Sequence, residues 1–290
     1  MDRLLELPLP AGSPHRREGQ AVDCSARLRP ALHERLPALV RRALTLTVGL
    51  AGVLVVWELY CRLSGVSPLL LPAPSRVASA LVDAREEAWQ HTSTTLGEAL
   101  IGFAISVVAA SLAGVVMDRF GTVRRTIYPL LVGSQAVPIL AVTPLLVLWF
   151  GFGLLPKVIV IVLVTFFPIT VALLDGFAGT AAEATDLLRT MGASASQIFW
   201  KLRLPSALPR FFTGLRISVT YAVIGAVYGE YVGAFDGLGI WMRTSANLFR
   251  TDLVFGAVAI VVVISVALFL LIVALEAVTI PWHKAARTVA

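Results

Sequence analysis

Few side chains in this sequence are placed to do covalent chemistry. The three lysines stand as Pro-Lys157-Val, Trp-Lys201-Leu and His-Lys284-Ala. None completes the G-x-x-x-x-G-K-[ST] loop, whose lysine reaches nucleotide phosphate and whose hydroxyl reaches magnesium. The histidines at His15, His33, His91 and His283 lie outside the apolar runs, and no H-E-x-x-H pair occurs. Gly192-Ala193-Ser194 has the look of a serine-nucleophile fragment, but no histidine in a membrane segment could activate it. No catalytic residue and no metal ligand set is therefore expected. Ion-coupled transport would want carboxylates deep in a membrane. Glu58, Glu98, Asp175 and Glu276 instead sit at the ends of apolar runs, where they reach headgroups or water. Glu230 lies about 30 Å of helix beyond Pro209, which leaves it as either a solvated helix end or a substrate-facing gate.

The chemistry that remains is mechanical. Residues 186–209 read DLLRTMGASASQIFWKLRLPSALP, a polar stretch between two greasy ones. Residues 186–191 have a helical pattern, and Gly192 stands where a left-handed residue would stop the helix. Ser194 and Gln197 have the S-x-x-Q spacing of a capping box that starts a second helix. Ile198, Phe199, Leu202 and Leu204 give that helix its apolar positions, and Pro205 and Pro209 are expected to end it. Two short helices held at a fixed angle can transmit position or force, which a floppy linker cannot do.

The elements that carry this stretch are membrane helices. Of 290 residues, 57% are hydrophobic and 14% charged, against about 25% charged in an average soluble domain. Uncharged runs cover 43–57, 99–117, 126–156 and 253–275, with a fifth at 158–174 and a sixth, interrupted by Arg216, at 211–229. A bilayer crossing takes about 20 apolar residues, so six helical spans are expected in an all-α membrane protein. An N-terminus on the inside leaves seventeen lysines and arginines on that face against six outside. That asymmetry makes both termini cytoplasmic. The pI of 9.8 is then a consequence of topology, and no basic stripe with interleaved aromatics suggests nucleic acid. Cys24 and Cys61 fall on opposite sides of the membrane and are expected to be unpaired.

The organisation that follows starts with a largely disordered cytoplasmic extension over 1–42, in which no cleavable signal is evident. A first span at 43–61 leads to an outer loop at 62–93, where Ser75 looks like the N-cap of an amphipathic helix. The core, 94–277, holds five further spans, and a tail covers 278–290. The 31-residue run 126–156 is too long for one crossing and too short for two. It reads as one kinked crossing over about 127–147, then an outer re-entrant or loop segment. Ser134, Gln135, Pro138 and Thr143 lie in it. Their polar groups and broken backbone suit either helix–helix hydrogen bonding or the lining of a translocation pathway.

The stretch at 186–205 resembles the EAA motif of binding-protein-dependent ABC importer permeases, E-A-A-x3-G-x9-I-x-L-P. Asp186 stands for the glutamate, Leu187 and Leu188 for the two alanines, and Gly192 for the glycine. Leu202 takes the isoleucine position, and Leu204-Pro205 completes the pattern. Similarity extends from about residue 68 to 277. LPAPSRVASALVDA, WQHTSTTLGEALIGF, VPILAVTPLLVLWFGFG and GLRISVTYAVIGAVYGEYVGAFDGLG look like the nitrate/sulfonate/taurine subfamily, which also includes bicarbonate and pyrimidine or riboflavin-type systems. The resemblance implies a type I importer (MetI-like) permease fold in a bacterial plasma membrane. It also implies a coupling helix within about 183–205 that uses Asp186, Leu187, Leu188, Gly192, Ala193, Leu202, Leu204 and Pro205. Its implied partners are a cytosolic ATPase dimer that binds ATP and magnesium, a second permease copy and an extracytoplasmic binding protein. The permease itself would need no cofactor. The competing expectation is a secondary transporter driven by an ion gradient.

Overall fold

The computed structural model describes residues 32–281, with side chains described from residue 44 onward except 46. Of the extension expected to be largely disordered over 1–42, residues 1–31, with Cys24, lie outside the described residues, whereas 32–42 are helical; the tail beyond residue 281 also lies outside them. The chain divides into two units, residues 1–56 and 57–290. Within the first, residues 32–56 are the N-terminal part of helix α1 (Leu32–Leu63).

The second unit contains the end of α1 and a succession of helices, with no strand among the described residues. These are α2 (Pro74–Asp83), α3 (Arg85–Arg119), α4 (Gly121–Ser134), α5 (Ile139–Phe150) and α6 (Leu154–Ala178). After them come α7 (Ala182–Thr190), α8 (Ala195–Ile198), a π-helical turn (Phe199–Arg203), α9 (Leu204–Gly233), α10 (Leu238–Asn247) and α11 (Thr251–Thr279). Four stretches are long and apolar enough to cross a membrane: Arg85–Arg119, Leu154–Ala178, Ala195–Gly233 and Thr251–Thr279. The bent pair α4 and α5 can supply a fifth. The expected first span, 43–61, falls on α1.

Helices α6 and α9 form the central pair, and small residues let them approach closely. A methyl group on Gly225 would come 3.2 Å from the Ile161 backbone, one on Gly229 3.1 Å from the Lys157 backbone, and one on Gly214 2.6 Å from the Ala172 side chain. Gly225, Gly229 and Gly233 recur every fourth residue, so they line one face of α9. The last of them packs on Val147 of α5. In lipid, where apolar burial does not drive helices together, such close backbone contact is what binds them. Helix α3 covers α6 through Gly102 against Ile161 and Gly114 against Leu173.

Two local expectations are corrected. Ser75 does not cap the outer helix: Ala73 is the N-cap and Pro74 opens the first turn. The Ser75 backbone N–H and hydroxyl instead donate to Glu58, at 3.0 and 2.8 Å, because a proline at the first position already removes a donor that would need a cap. That outer helix also stops at Asp83, and α3 then runs unbroken from Arg85 to Arg119. The run 126–156 is broken more sharply than a kinked helix, although the bent pair can still supply one crossing. Helices α4 and α5 are bent by 100° at a short break, where Pro138 is the N-cap of α5 and holds the preceding residue out of the helical region.

Candidate functional site: a braced knuckle between two long apolar helices

The stretch between α6 and α9 folds as two linked helical caps. At the end of α7, the Gly192 N–H donates to the Arg189 carbonyl at 2.9 Å and the Ala193 N–H to the Leu188 carbonyl at 2.9 Å. With Gly192 at φ +81, this is a Schellman stop, which satisfies two otherwise orphaned carbonyls. Ser194 then opens α8. Its backbone N–H donates to Gln197 Oε1 at 2.8 Å, and the Gln197 N–H donates to Ser194 Oγ at 3.3 Å. A helix stop and a reciprocal capping box thus sit back to back, with only Ala193 between Gly192 and Ser194. The turn has no slack.

Its far side departs from the sequence reading. Pro205 and Pro209 do not end the second helix, since a continuous helical stretch runs from Ala195 to Gly233. The Leu204 N–H donates five residues back, to the Phe199 carbonyl. This widened turn absorbs the register change, and Pro205 follows it in the first turn of α9, where its missing N–H costs little. Pro209 lies inside α9. The knuckle therefore continues directly into a membrane helix.

Side chains brace it from below. Arg203 pairs with Asp118 of α3 at 2.8 Å and lies 5.7 Å from the centre of the Phe177 ring of α6. Phe177 in turn packs on Phe199, with ring centres 5.8 Å apart. Leu173, Phe177 and Ala207 form a small buried cluster with Leu204 and Phe199 against it. A cavity of about 910 Å³ opens between this brace and α7, with Asp118, Arg119, Asp186, Arg189 and Arg203 among its walls.

The structure places the motif residues in two groups. Asp186, Leu187, Leu188, Gly192 and Ala193 belong to the first cap, with Asp186 ion-paired to Arg189 across 3.4 Å of exposed surface. Leu202, in the π turn, and Leu204 and Pro205, at the start of α9, are half-buried at its root. Leu187, Met191 and Trp200 are 62%, 73% and 64% exposed. They are exposed apolar side chains on an otherwise polar stretch. The sequence alone does not single out Met191 and Trp200, because scattered exposed apolar residues are common.

The candidate pathway residues separate. Ser134 and Gln135 line a cavity of about 570 Å³ beside the α4–α5 break, with Phe167 and Tyr221. The Ser134 hydroxyl is donated to its own helix, to the Leu131 carbonyl at 2.7 Å. Pro138 is exposed at the break and is not part of that lining. Thr143 is buried, and its hydroxyl donates to the Ile139 carbonyl at 2.8 Å. Glu230 is not a solvated helix end: it is 0% exposed and accepts the Gly239 N–H at 2.8 Å. Nor is Glu98 a free span end, since it pairs with Lys157 at 2.5 Å. Arg216 pairs with Glu276 at 3.3 Å. Among the described residues, no cluster of three or more His, Cys, Asp or Glu is placed to hold a metal.

Long apolar helices packed around a capped and braced knuckle make this a helical membrane scaffold. Residues 103–281 match the family described as binding-protein-dependent transport system inner membrane component, and the chain belongs to that family. It is 41% identical to the formylaminopyrimidine transport permease protein of Halalkalibacterium halodurans, over 84% of this chain and 97% of that one. Identity is 36% to the riboflavin transport system permease protein of Chloroflexus aurantiacus, over 83% and 91% of the two chains. It is 32% to the taurine transport system permease protein of Escherichia coli, again over 83% and 91%.

Proposed function

We propose that this chain is the membrane subunit of an ATP-driven importer for a small solute, and that the knuckle at 182–205 is where a separate ATPase seats. Six spans, with both termini cytoplasmic and α1 as the first, put the knuckle on the inner face, and the basic-residue asymmetry supports that orientation. Two identical copies line the pathway, a cytosolic ATPase dimer binds ATP and magnesium, and an extracytoplasmic binding protein delivers the solute. The membrane is the bacterial inner membrane. The solute class spans what the relatives' names cover, a pyrimidine or riboflavin-type compound or a sulfonate such as taurine. Ser134 and Gln135 are the proposed pathway contacts.

The observation that carries this reading is the pair of back-to-back caps at Gly192 and Ser194. They make a stiff lever, rooted by Arg203–Asp118 and continuous with α9, on which Leu187, Met191 and Trp200 are exposed. Closure of an ATPase dimer against this lever would move α9 as a rigid body, the kind of switch that packed helices support. A cysteine at Leu187 is expected to crosslink to the ATPase subunit in the assembled transporter. A crosslink only to lipid-facing or extracytoplasmic partners would overturn the reading. Uptake that survives ATP depletion and follows a proton or sodium gradient would instead establish the secondary transporter.

A further inference from the structure

The outer ends of α3, α6 and α9 bring three charged side chains together away from the knuckle. Glu98, Lys157 and Glu230 are 9%, 6% and 0% exposed. Lys157 Nζ donates to Glu98 Oε1 at 2.5 Å. Glu230 Oε2 accepts from the Gly239 N–H. Two atoms remain: Glu98 Oε2 and Glu230 Oε1 are buried and have no partner. The two carboxyl groups converge on one place: Lys157, which holds Glu98, packs on Gly229 beside Glu230, and the adjacent N–H groups of Leu238 and Gly239 bond to Thr95, one turn before Glu98, and to Glu230. Asp236 adds a further negative charge near Glu98. A carboxylate is an acceptor only, whereas a carboxylic acid also donates. Buried polar atoms left without partners are rare and costly, and two ionised carboxylates in contact repel.

We infer that Glu230 is a neutral carboxylic acid whose Oε1–H donates to Glu98 Oε2, and that it positions the N-terminus of α10. One proton on Glu230 satisfies both orphaned oxygens. It also leaves Glu98 and Lys157 as a balanced ion pair. Glu98 is the ionised member because Lys157 pairs with it directly, whereas Glu230 makes no ion pair and accepts from the neutral Gly239 N–H.

The element that this network holds is the start of α10. Three successive backbone N–H groups there are taken by side chains from other helices: Gly237 by His91 Nδ1 at 3.0 Å, Leu238 by Thr95 Oγ1 at 2.8 Å, and Gly239 by Glu230. His91 also lies against Trp241 of α10, with ring centres 5.7 Å apart. A methyl group on Gly237 or Gly239 would fall within 3.0 Å of Glu230, so both glycines are needed for the approach. The network makes α3, α6, α9 and α10 one body at this end, and Glu230 is its central positioning residue.

The test uses the full chain in lipid nanodiscs, with infrared spectroscopy and thermal unfolding as readouts, so it does not depend on transport. The wild-type minus Glu230→Gln difference spectrum is expected to show the loss of one protonated-carboxyl C=O band. Glu230→Gln, whose amide both donates to Glu98 and accepts from Gly239, is expected to keep the wild-type Tm. Glu230→Leu and Glu98→Gln, the latter leaving Lys157 unpaired, are expected to lower it. Glu98→Gln combined with Lys157→Met recovers part of that loss. The absence of a carboxylic acid band from Glu230 overturns the proposal, as does a Glu230→Gln chain that loses as much stability as Glu230→Leu.

Discussion

Gly192 does the most for its size. At φ +81 it stands where a β-branched side chain is strained, although no neighbour lies within 4 Å of a methyl group placed there. Backbone strain, not crowding, is therefore the variable. Gly192→Val is expected to destabilise the turn by about 1–3 kcal/mol while the chain still inserts. Its effect should appear as ATPase activity uncoupled from uptake in reconstituted vesicles. Normal transport by this variant would mean that the turn is not what keeps the knuckle stiff. Ser194→Ala removes one half of the capping box and is expected to cost about 1 kcal/mol. Faster amide hydrogen exchange confined to the stretch after Ser194 would report it.

At the scale of elements, the knuckle works only because of how it joins its neighbours. Met191 is exposed on the proposed docking element, so Met191→Asp is expected to weaken ATPase docking by about 2 kcal/mol, the level of an interface hot spot. Co-purification of the ATPase with the variant measures this directly. The α6–α9 contact is the other decisive joint. Gly225→Val introduces a branched side chain where even a methyl group would meet Val164 at 3.0 Å. Overpacking of this kind costs about 1–3 kcal/mol, and a lower Tm of the membrane-embedded chain is the expected result.

For the whole molecule, the proposed coupling requires that force entering at the knuckle cross the bilayer along α9. That helix starts at the braced root beside Arg203 and ends in the buried cluster around Glu230, so one rod links the proposed lever to that cluster. A rod with fixed contacts at both ends suits a rocking motion better than a local rearrangement. The purified chain alone is expected to show no ATP hydrolysis, and the assembled transporter is expected to gain it with the separate ATPase. An assay of phosphate release, with and without that subunit, checks this.

Much of this was legible in one dimension. Four of the uncharged runs fall on the four helical stretches long and apolar enough to cross a membrane, because lipid excludes charge over a length that sequence can count. The glycine stop and the capping box were legible because both are local: each depends on residues within a few positions of one another. The fate of Pro205 was not, because the π turn that accommodates it depends on packing against Phe177 and Leu173. Nor was the burial of Glu230, which accepts the Gly239 N–H beside the place where Leu238 meets Thr95 of α3, 143 residues away in sequence. Local hydrogen-bond chemistry and solvent preference are written in neighbouring residues. Which charges meet in a buried place is decided only when distant helices pack, and there the three-dimensional structure alone supplies the answer.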